Sequence, residues 1–419
     1  MLIDFTIKNY RSIKAAVTLS AVASTHARNV SEELIAKPWP IIGRDLSILP
    51  VIGIFGANAS GKSNVLNALA EFLSFIYFGP DVRPDDQLSF VDPFRLDPNT
   101  VIEPVEFELR MSREGNIYSY SIGVDSTRIC YERLDYIPQT SKRLVSRMLF
   151  DRTWDSERET YRIRNGKDFG KSFKQIQSSL RPSQAFLTLL MRGVTIPVIE
   201  PLTSWFAFHW AKSSFDDDFD YLMACHLLAT HRPDTLERVK SIVRRFDLGV
   251  RDVSVELGKG EYRDALQNSK VWVTHNIGKK PVKWLLSNES LGTQKLFLLA
   301  AKLNHVMEMG GLMLVDEFGS STHPHINREI IRLFQSHKTN SKRAQLLFSS
   351  HDATLLRKGV LRRDQIWYTE KQNDQSTRLF PLTEFSPRPD LATERAYLDG
   401  RLGAVPVIET LDEEREAYN

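Results

Sequence analysis

Apolar and polar residues alternate at the start of the chain, with Ile3, Phe5 and Ile7 on one face and Asp4, Thr6 and Lys8 on the other. A period of two predicts a half-buried strand. A second apolar stretch, Leu46 to Phe55, runs straight into a glycine-rich turn. Beyond the turn Val65, Leu66, Leu69, Phe72, Leu73 and Ile76 recur at helical spacing, so the unit reads strand, loop, helix. The Pro- and Asp-rich residues 81–100 predict loop. Strands follow at 105–111 and 118–124, separated by a polar turn at 112–116. From 140 to 250 Arg and Lys become more frequent and the period turns helical. Leu236, Val239, Val243 and Phe246 form a stripe backed by Arg238, Lys240, Arg244 and Arg245, with Pro233 and Asp234 at the helix start. This region is expected to be a mainly helical insertion. Strands return at 253–256, 271–275 and 282–286, then a helix from about 291 and apolar strands at 312–315 and 345–349. A hairpin, 365–370 with 377–382, precedes a polar tail from 386.

Composition changes this picture little. A chain of 419 residues exceeds one typical domain and calls for a core with an insertion, or two domains. With 55 basic against 52 acidic residues, no overall charge marks a nucleic-acid binder. Cys130 and Cys225 form no CxxC pair, which excludes a disulfide framework and a cysteine zinc site and leaves small buried apolar roles. Asp4, Lys8 and Arg11 interrupt any secretory signal, and no run approaches the ~18 apolar residues of a membrane span. A soluble protein of the cytoplasm, without membrane partners, is expected. Asp216, Asp217 and Asp218 read as a solvated loop.

Four motifs carry candidate chemistry. The first, Gly56-Ala57-Asn58-Ala59-Ser60-Gly61-Lys62-Ser63, fits GxxxxGK[ST] and continues into Asn64. Its glycines let successive backbone N–H groups point at one phosphate, and the helix behind adds its positive end. Lys62 can reach the β and γ phosphates, and Ser63 can complete a Mg²⁺ shell. The second is the apolar run Leu312-Met313-Leu314-Val315 ending in Asp316-Glu317. Asp316 is expected to hold Mg²⁺ through water and Glu317 to polarise the attacking water. Third, Phe348-Ser349-Ser350-His351-Asp352 again ends a strand in polar residues, making His351 a candidate γ-phosphate sensor. The fourth, Asn288-Glu289-Ser290-Leu291-Gly292-Thr293-Gln294-Lys295, opens a helix whose free N–H groups favour an anion.

In this order the motifs resemble the ABC ATPases, particularly the branch shared with RecF and the SMC proteins. The resemblance implies an α/β fold: an ABC-type ATPase head, a P-loop core with an antiparallel β subdomain. It also implies that Ser290, Gly292 and Gln294 cap ATP bound to a second subunit, so hydrolysis needs a head-to-head dimer. Residues 319–323 fall at the D-loop position, and this reading is preferred to a metal site for His323-Pro324-His325. Asn9-Tyr10-Arg11-Ser12, Ser350 to Leu356, Asp364-Gln365-Ile366-Trp367 and Tyr397-Leu398-x-Gly400-Arg401-x-Gly403-Ala404 look like the AAA-type subgroup. Within it the chain is most similar to the RloA and AriA ATPases of bacterial anti-phage systems, the latter from PARIS. Gln87 and Phe94-Arg95 both compete for the Q-loop position. After His351 no glutamate on a strand is followed by an Asp-x-Asp pair, so a TOPRIM nuclease is expected on a separate protein.

The domain reading is 1–139 for the N-terminal part of the core, 140–250 for the insertion, 251–385 for the C-terminal part and 386–419 for the tail. The implied function is ATP binding and hydrolysis in an anti-phage system. A dimer or larger homo-oligomer would control an effector such as a nuclease in response to a phage trigger. The alternative is a RecF-like DNA-repair or DNA-remodelling ATPase, for which Arg244, Arg245, Arg362 and Arg363 are candidates for a local basic patch. A transporter reading fits less well, since the chain has no span of its own.

Overall fold

A computed structural model of the protein describes residues 1–24, 37–41, 45–79, 88, 90–141, 145–167, 180–193, 196–208, 210–213, 233–246, 249–256, 258–259, 268–278, 280–320, 322–385 and 392–403. Two sheets enclose one helix. The first strand, β1 (Leu2–Lys8), buries its alternate residues as its period requires and pairs antiparallel with β2 (Val17–Ser20). On its other side β1 pairs with β6 (Val105–Arg113), which continues through β7 (Asn116–Val124), β8 (Ile129–Ile137), β9 (Arg147–Asp155) and β10 (Thr160–Asn165). This is a seven-stranded antiparallel sheet. A two-stranded ribbon, β3 (Trp39–Pro40) with β4 (Ser47–Ile48), precedes the core.

The second sheet has β5 (Val51–Gly56) near its centre, with every residue buried. Its order is β11 (Trp210–Ser213), β15 (Leu312–Val315), β16 (Gln345–Ser350), β5, β17 (Ile366–Lys371) and β18 (Thr377–Pro381). All neighbours are parallel except the terminal β17–β18 hairpin. Parallel strands covered on both faces read as continuous apolar runs, as 312–315 and 346–348 do. Their C-terminal ends deliver Gly56, Asp316 and His351 to one edge.

Helix α1 (Lys62–Phe78) lies between the sheets, and all the apolar residues of its stripe are buried. Phe72 packs against Phe5, Phe107 and Tyr120 at centroid distances of 5.6, 5.4 and 5.9 Å. The phosphate-loop helix is thereby the hinge pin of the larger core.

The stretch 140–250 is only partly helical. Strands β9 and β10 extend the antiparallel sheet across the expected boundary at 139, and β11 joins the core sheet beside β15. Arg147, Arg152, Arg162 and Arg164 lie within β9 and β10, and β11 is only four residues long, so the Arg-rich composition hid them. Helices α2 (Phe186–Gly193) and α3 (Glu200–Phe208) pack against α1, and α4 (Pro233–Phe246) packs elsewhere. With the sheet β12 (Val250–Glu256), β13 (Lys270–Ile277), β14 (Lys280–Leu285) and with α5 (Leu291–Met309), α4 encloses a third core. Val239, Val243, Val253, Val273 and Phe297 meet there. A helix α6 (Pro324–Gln335), not foreseen from the sequence, covers the far face of the core sheet. A short helix α7 (Thr393–Leu398) stacks Tyr397 on Tyr368 at 5.6 Å within the expected tail.

Among the described residues no helix is long and apolar enough to cross a membrane, and no group of His, Cys, Asp and Glu is arranged to hold a metal by itself. Cys130 is half-buried rather than fully buried and its Sγ donates to Asp125 Oδ2 at 3.5 Å; burial and then Asp125 push the thiol up to about 12. Cys225 and 216–218 lie outside the described residues.

Candidate functional site

The phosphate loop departs from β5 as soon as the apolar strand ends, because Gly56, Ala59 and Gly61 take positive φ. At Gly61 (φ +106°) a Cβ would fall 2.2 Å from Thr377 Oγ1, so only glycine lets the loop lie against the hairpin. Thr377 Oγ1 donates to Ser60 O at 2.9 Å and lies 2.8 Å from Ser12 Oγ, while Ser60 Oγ lies 2.6 Å from Thr369 Oγ1. Asn64 Nδ2 donates to Ser12 Oγ at 2.6 Å. Three small hydroxyls, those of Thr369, Thr377 and Ser12, thus brace the loop from β17, β18 and the turn after β1. None was singled out as a site residue from the sequence, because lone Ser and Thr carry no spacing signal.

Asn58, Ala59, Gly61, Lys62, Ser63 and Asn64 line a cleft of about 440 Å³ with Glu317 and His351. Gly56 and Ser60 form the loop's buried underside. Lys62 is buried, and its Nζ donates to Gly56 O at 2.9 Å and Ala57 O at 2.7 Å. Burial pushes its ammonium down to about 8, against the pull of Asp316 and Glu317. Ser63 Oγ donates to Asp316 Oδ1 at 3.1 Å.

Ser349 ties two strand ends together. Its hydroxyl donates to Asp316 Oδ1 and accepts from Glu317 N at 2.9 Å. Ser350 Oγ donates to Phe318 O at 2.7 Å, so β16 sets the geometry of the turn that presents Glu317. Glu317 itself has φ +51°, a conformation costly for a non-glycine residue. His351 opens to solvent at the cleft; desolvation and then Lys62 hold its imidazole below the usual histidine range, with Glu317 and Asp316 opposing. Hard oxygen donors at Ser63 and Asp316 suit a small divalent cation, and the loop's N–H groups beside a buried lysine suit a phosphate. The residues present therefore fit ATP with Mg²⁺.

The fourth motif lies elsewhere. Ser290 caps α5, its Oγ accepting from Thr293 N at 3.1 Å, and Gln294 Nε2 donates back to Glu289 O at 2.8 Å. Glu289 is clamped by His275 Nε2 at 2.6 Å and Trp284 Nε1 at 2.5 Å, with the two rings stacked at 4.4 Å. Ser290 is solvent-facing, and neither it nor Gly292 nor Gln294 lines the cleft.

Several other sequence motifs turn out to hold the fold. Asn9, fully buried at φ +55°, donates through Nδ2 to Thr100 O, Glu103 O and Pro104 O at 2.7–3.3 Å and accepts from Phe94 N. Phe94 is buried and Arg95 pairs with Asp92, and neither lines the cleft; Gln87 lies outside the described residues. Tyr10 and Arg11 both bind Glu71 of α1. Thr322 and His323 belong to the turn before α6, where His323 Nδ1 accepts from His325 N at 3.2 Å as a helix cap. Of the four candidates for a basic patch, Arg362 is turned inward while Arg244 and Arg245 stay exposed in ion pairs. Arg362 is buried in a bidentate pair with Asp364 at 2.9 and 2.7 Å, and Arg245 pairs with Glu329 at 2.6 Å.

A family model described as "AAA domain, putative AbiEii toxin, Type IV TA system" matches residues 51–357, from the strand before the phosphate loop to just past His351. Among solved structures the chain is similar to the SMC head domain from Thermotoga maritima (13% identity, TM-score 0.39, covering 91% of this chain and 98% of that one). It is also similar to an SMC head bound to the C-winged helix domain of ScpA (11%, 0.44, 92% and 99%). A third is the SMC head with an extended coiled coil bound to the C-terminal domain of ScpA derived from Pyrococcus furiosus (11%, 0.39, 92% and 97%). No curated protein sequence matches the chain.

Proposed function

The chain belongs to the AAA-domain family whose model spans residues 51–357, and from that premise we propose that it binds ATP with Mg²⁺ and hydrolyses it between two copies of itself. One observation carries this reading: the cleft is equipped for phosphate and cation on one side only. Lys62, Ser63, Asp316, Glu317 and His351 converge, whereas Ser290, Gly292 and Gln294 stand at a separate, solvent-facing helix start. A second copy presenting that helix start would complete the site with N–H donors and a hydroxyl.

Bound ATP supplies the phosphoryl group, and Mg²⁺ neutralises its charge. Lys62 exchanges its two carbonyl acceptors for phosphate oxygens. Ser63, and Asp316 through water, would hold the cation, with Asp316 steadied by Ser349. Glu317, its backbone pinned by the same serine, orients the attacking water. His351, whose imidazole desolvation and Lys62 bias towards the neutral form, donates a hydrogen bond to the terminal phosphate.

The cycle is read as regulatory. The family description names a toxin–antitoxin system, and the late motifs resemble anti-phage ATPases, so the output is taken to be control of a separate effector, a TOPRIM-type nuclease, released on a phage trigger. Glu317→Gln tests this. In the presence of ATP it should accumulate as a dimer or larger assembly by mass photometry and copurify a nuclease-like product of a neighbouring gene. A monomer at saturating ATP would sink the shared-site reading. A bare dimer retaining nucleic acid would instead favour the RecF-like role, which has lost Arg362 as a basic contact.

A further inference from the structure

A second cavity, of about 350 Å³, opens at the opposite edge of the core sheet. The phosphate loop, Asp316 and His351 leave the C-terminal ends of β5, β15 and β16. Gly310, Lys342 and Arg343 instead precede the N-terminal ends of β15 and β16. The β6–β7 turn, with Arg113 and Glu114, and Met1 at the head of β1 close the cavity from the antiparallel sheet, and Gln139 and Ser112 add polar atoms. The site therefore spans the junction of the two sheets.

Its charge is one-sided. Arg113, Lys342 and Arg343 face a single acid, Glu114, which is exposed on its turn. None of the three cations forms an ion pair with a described acidic side chain. Among the described residues Arg113 Nε is buried without an acceptor, and Arg343 Nη1 donates to Pro40 O at 3.3 Å. A buried guanidinium nitrogen left without an acceptor is costly unless an anion meets it. The local potential shows in the Met1 amine, which donates to Ser112 O at 2.6 Å. Burial, then Arg113 and Arg343, push it down to about 5. Of the adjoining sequence, residues 138–147 include Lys142, Arg143 and Arg147 and no acid, while the stretch after Ile41 carries Arg44 and Asp45. Arg343 is held in place from outside by Trp39, whose ring lies 5.5 Å from the guanidinium.

We infer that this cavity binds a small phosphate-bearing anion, a phosphorylated metabolite or nucleotide, between Arg113, Lys342 and Arg343. Guanidinium forks match phosphate oxygens two at a time, and a recess of this size takes a small molecule rather than a bare ion. Because Lys342 and Arg343 stand just before β16, which leads into His351, occupancy would stiffen the connection between the two sheets on the side away from ATP.

Isothermal titration of the full chain with inorganic pyrophosphate tests this, in a Lys62→Ala background so that the phosphate loop does not take the probe. Saturable binding is expected, weakened by about tenfold or more in Arg113→Gln and in Lys342→Gln. Lys342 is exposed, so its replacement keeps the test open if Arg113→Gln does not fold. No pyrophosphate binding in the Lys62→Ala chain overturns the proposal, as does binding that both substitutions leave unaltered. A short DNA duplex followed by fluorescence anisotropy separates the remaining case. Duplex binding that Lys342→Gln weakens but pyrophosphate does not compete would assign the cavity to a nucleic-acid path and sink the small-anion reading; competition by pyrophosphate would support it.

Discussion

At the scale of residues, the site is governed by a few groups held away from their ordinary states. Lys62 is the clearest, a buried lysine whose ammonium titrates near 8. Phosphate favours the charged form, so ATP binding should raise this value and draw a proton from solution. Affinity for ATP should therefore fall as pH rises above about 8, and calorimetry in buffers of different ionisation enthalpy should show proton uptake at pH 8 to 9. Binding without proton uptake there would mean that Lys62 stays fully charged in the free protein. Ser349 is a positioning residue that touches neither phosphate nor water in this reading. Removing its hydroxyl frees Asp316 and the Glu317 amide together, and Ser349→Ala should lower kcat by about ten- to hundredfold. The Kd for ATP without Mg²⁺ should stay unchanged; a matching loss of metal-free ATP binding would argue for a collapsed loop instead. Gly61→Ala should destabilise the fold by about 1–3 kcal/mol, read as a lower thermal midpoint, since it combines an unfavourable φ with overlap on Thr377.

At the scale of elements, the question is what holds α1 against the two sheets. Its C-terminus is received by α2, where Thr188 Oγ1 donates to Ile76 O at 2.7 Å and Arg192 Nη2 donates to Tyr77 O and Phe78 O at 2.9 Å each. The start of α2 is in turn fixed by a fully buried pair. Glu132 accepts from Phe186 N, Leu187 N and Tyr120 OH, and Arg152 donates to Glu132, Gln184 O and Arg181 O. Carboxylate at a helix start and guanidinium on loop carbonyls satisfy nearly every polar atom of the pair. Arg152→Leu would leave Glu132 buried without its counter-charge and should cost about 3–5 kcal/mol in urea denaturation. A cost below about 1 kcal/mol would show that Glu132 is sustained by its three donors alone. Strands β9 and β10 were legible only as an Arg-rich stretch because their outward residues are charged; the inward Leu149, Phe150 and Arg152 acquire meaning only when β8 lies beside them.

At the scale of the whole molecule, the proposed division of the site between two copies makes a sharper prediction than any single loss. Lys62→Ala and Gly292→Asp should each abolish hydrolysis alone. Mixed, they form heterodimers in which one site unites an intact phosphate loop with an intact Ser290–Gly292 cap, and activity should return to roughly a quarter of native. That fraction follows from random pairing with one good site in half of the dimers. No recovery on mixing would mean that each chain hydrolyses alone or that both sites must fire together. The insertion also reads differently at this scale, since part of 140–250 is built into both sheets. Deletion of the whole stretch would remove β11, β9 and β10, so a test of its role is better confined to the segment between β11 and α4.

What the sequence by itself determined are features whose signal is local. The phosphate loop, the buried strands β15 and β16, α1 and α5 all rest on contiguous spacing: the two strands fall within a residue of 312–315 and 345–349, α5 starts at 291, and α1 carries the stripe 65–76. Only the tertiary structure decided which of these residues meet. It brought Ser349 onto Asp316 and Thr377 onto Gly61, left Ser290 away from the cleft, and turned Arg362 inward to Asp364. The reason is physical: backbone periodicity is written in neighbours two to four residues apart. The partner of a buried polar group is chosen by whichever strand the sheet order places beside it, here 33 residues away for Asp316 and Ser349 and 317 for Ser60 and Thr377.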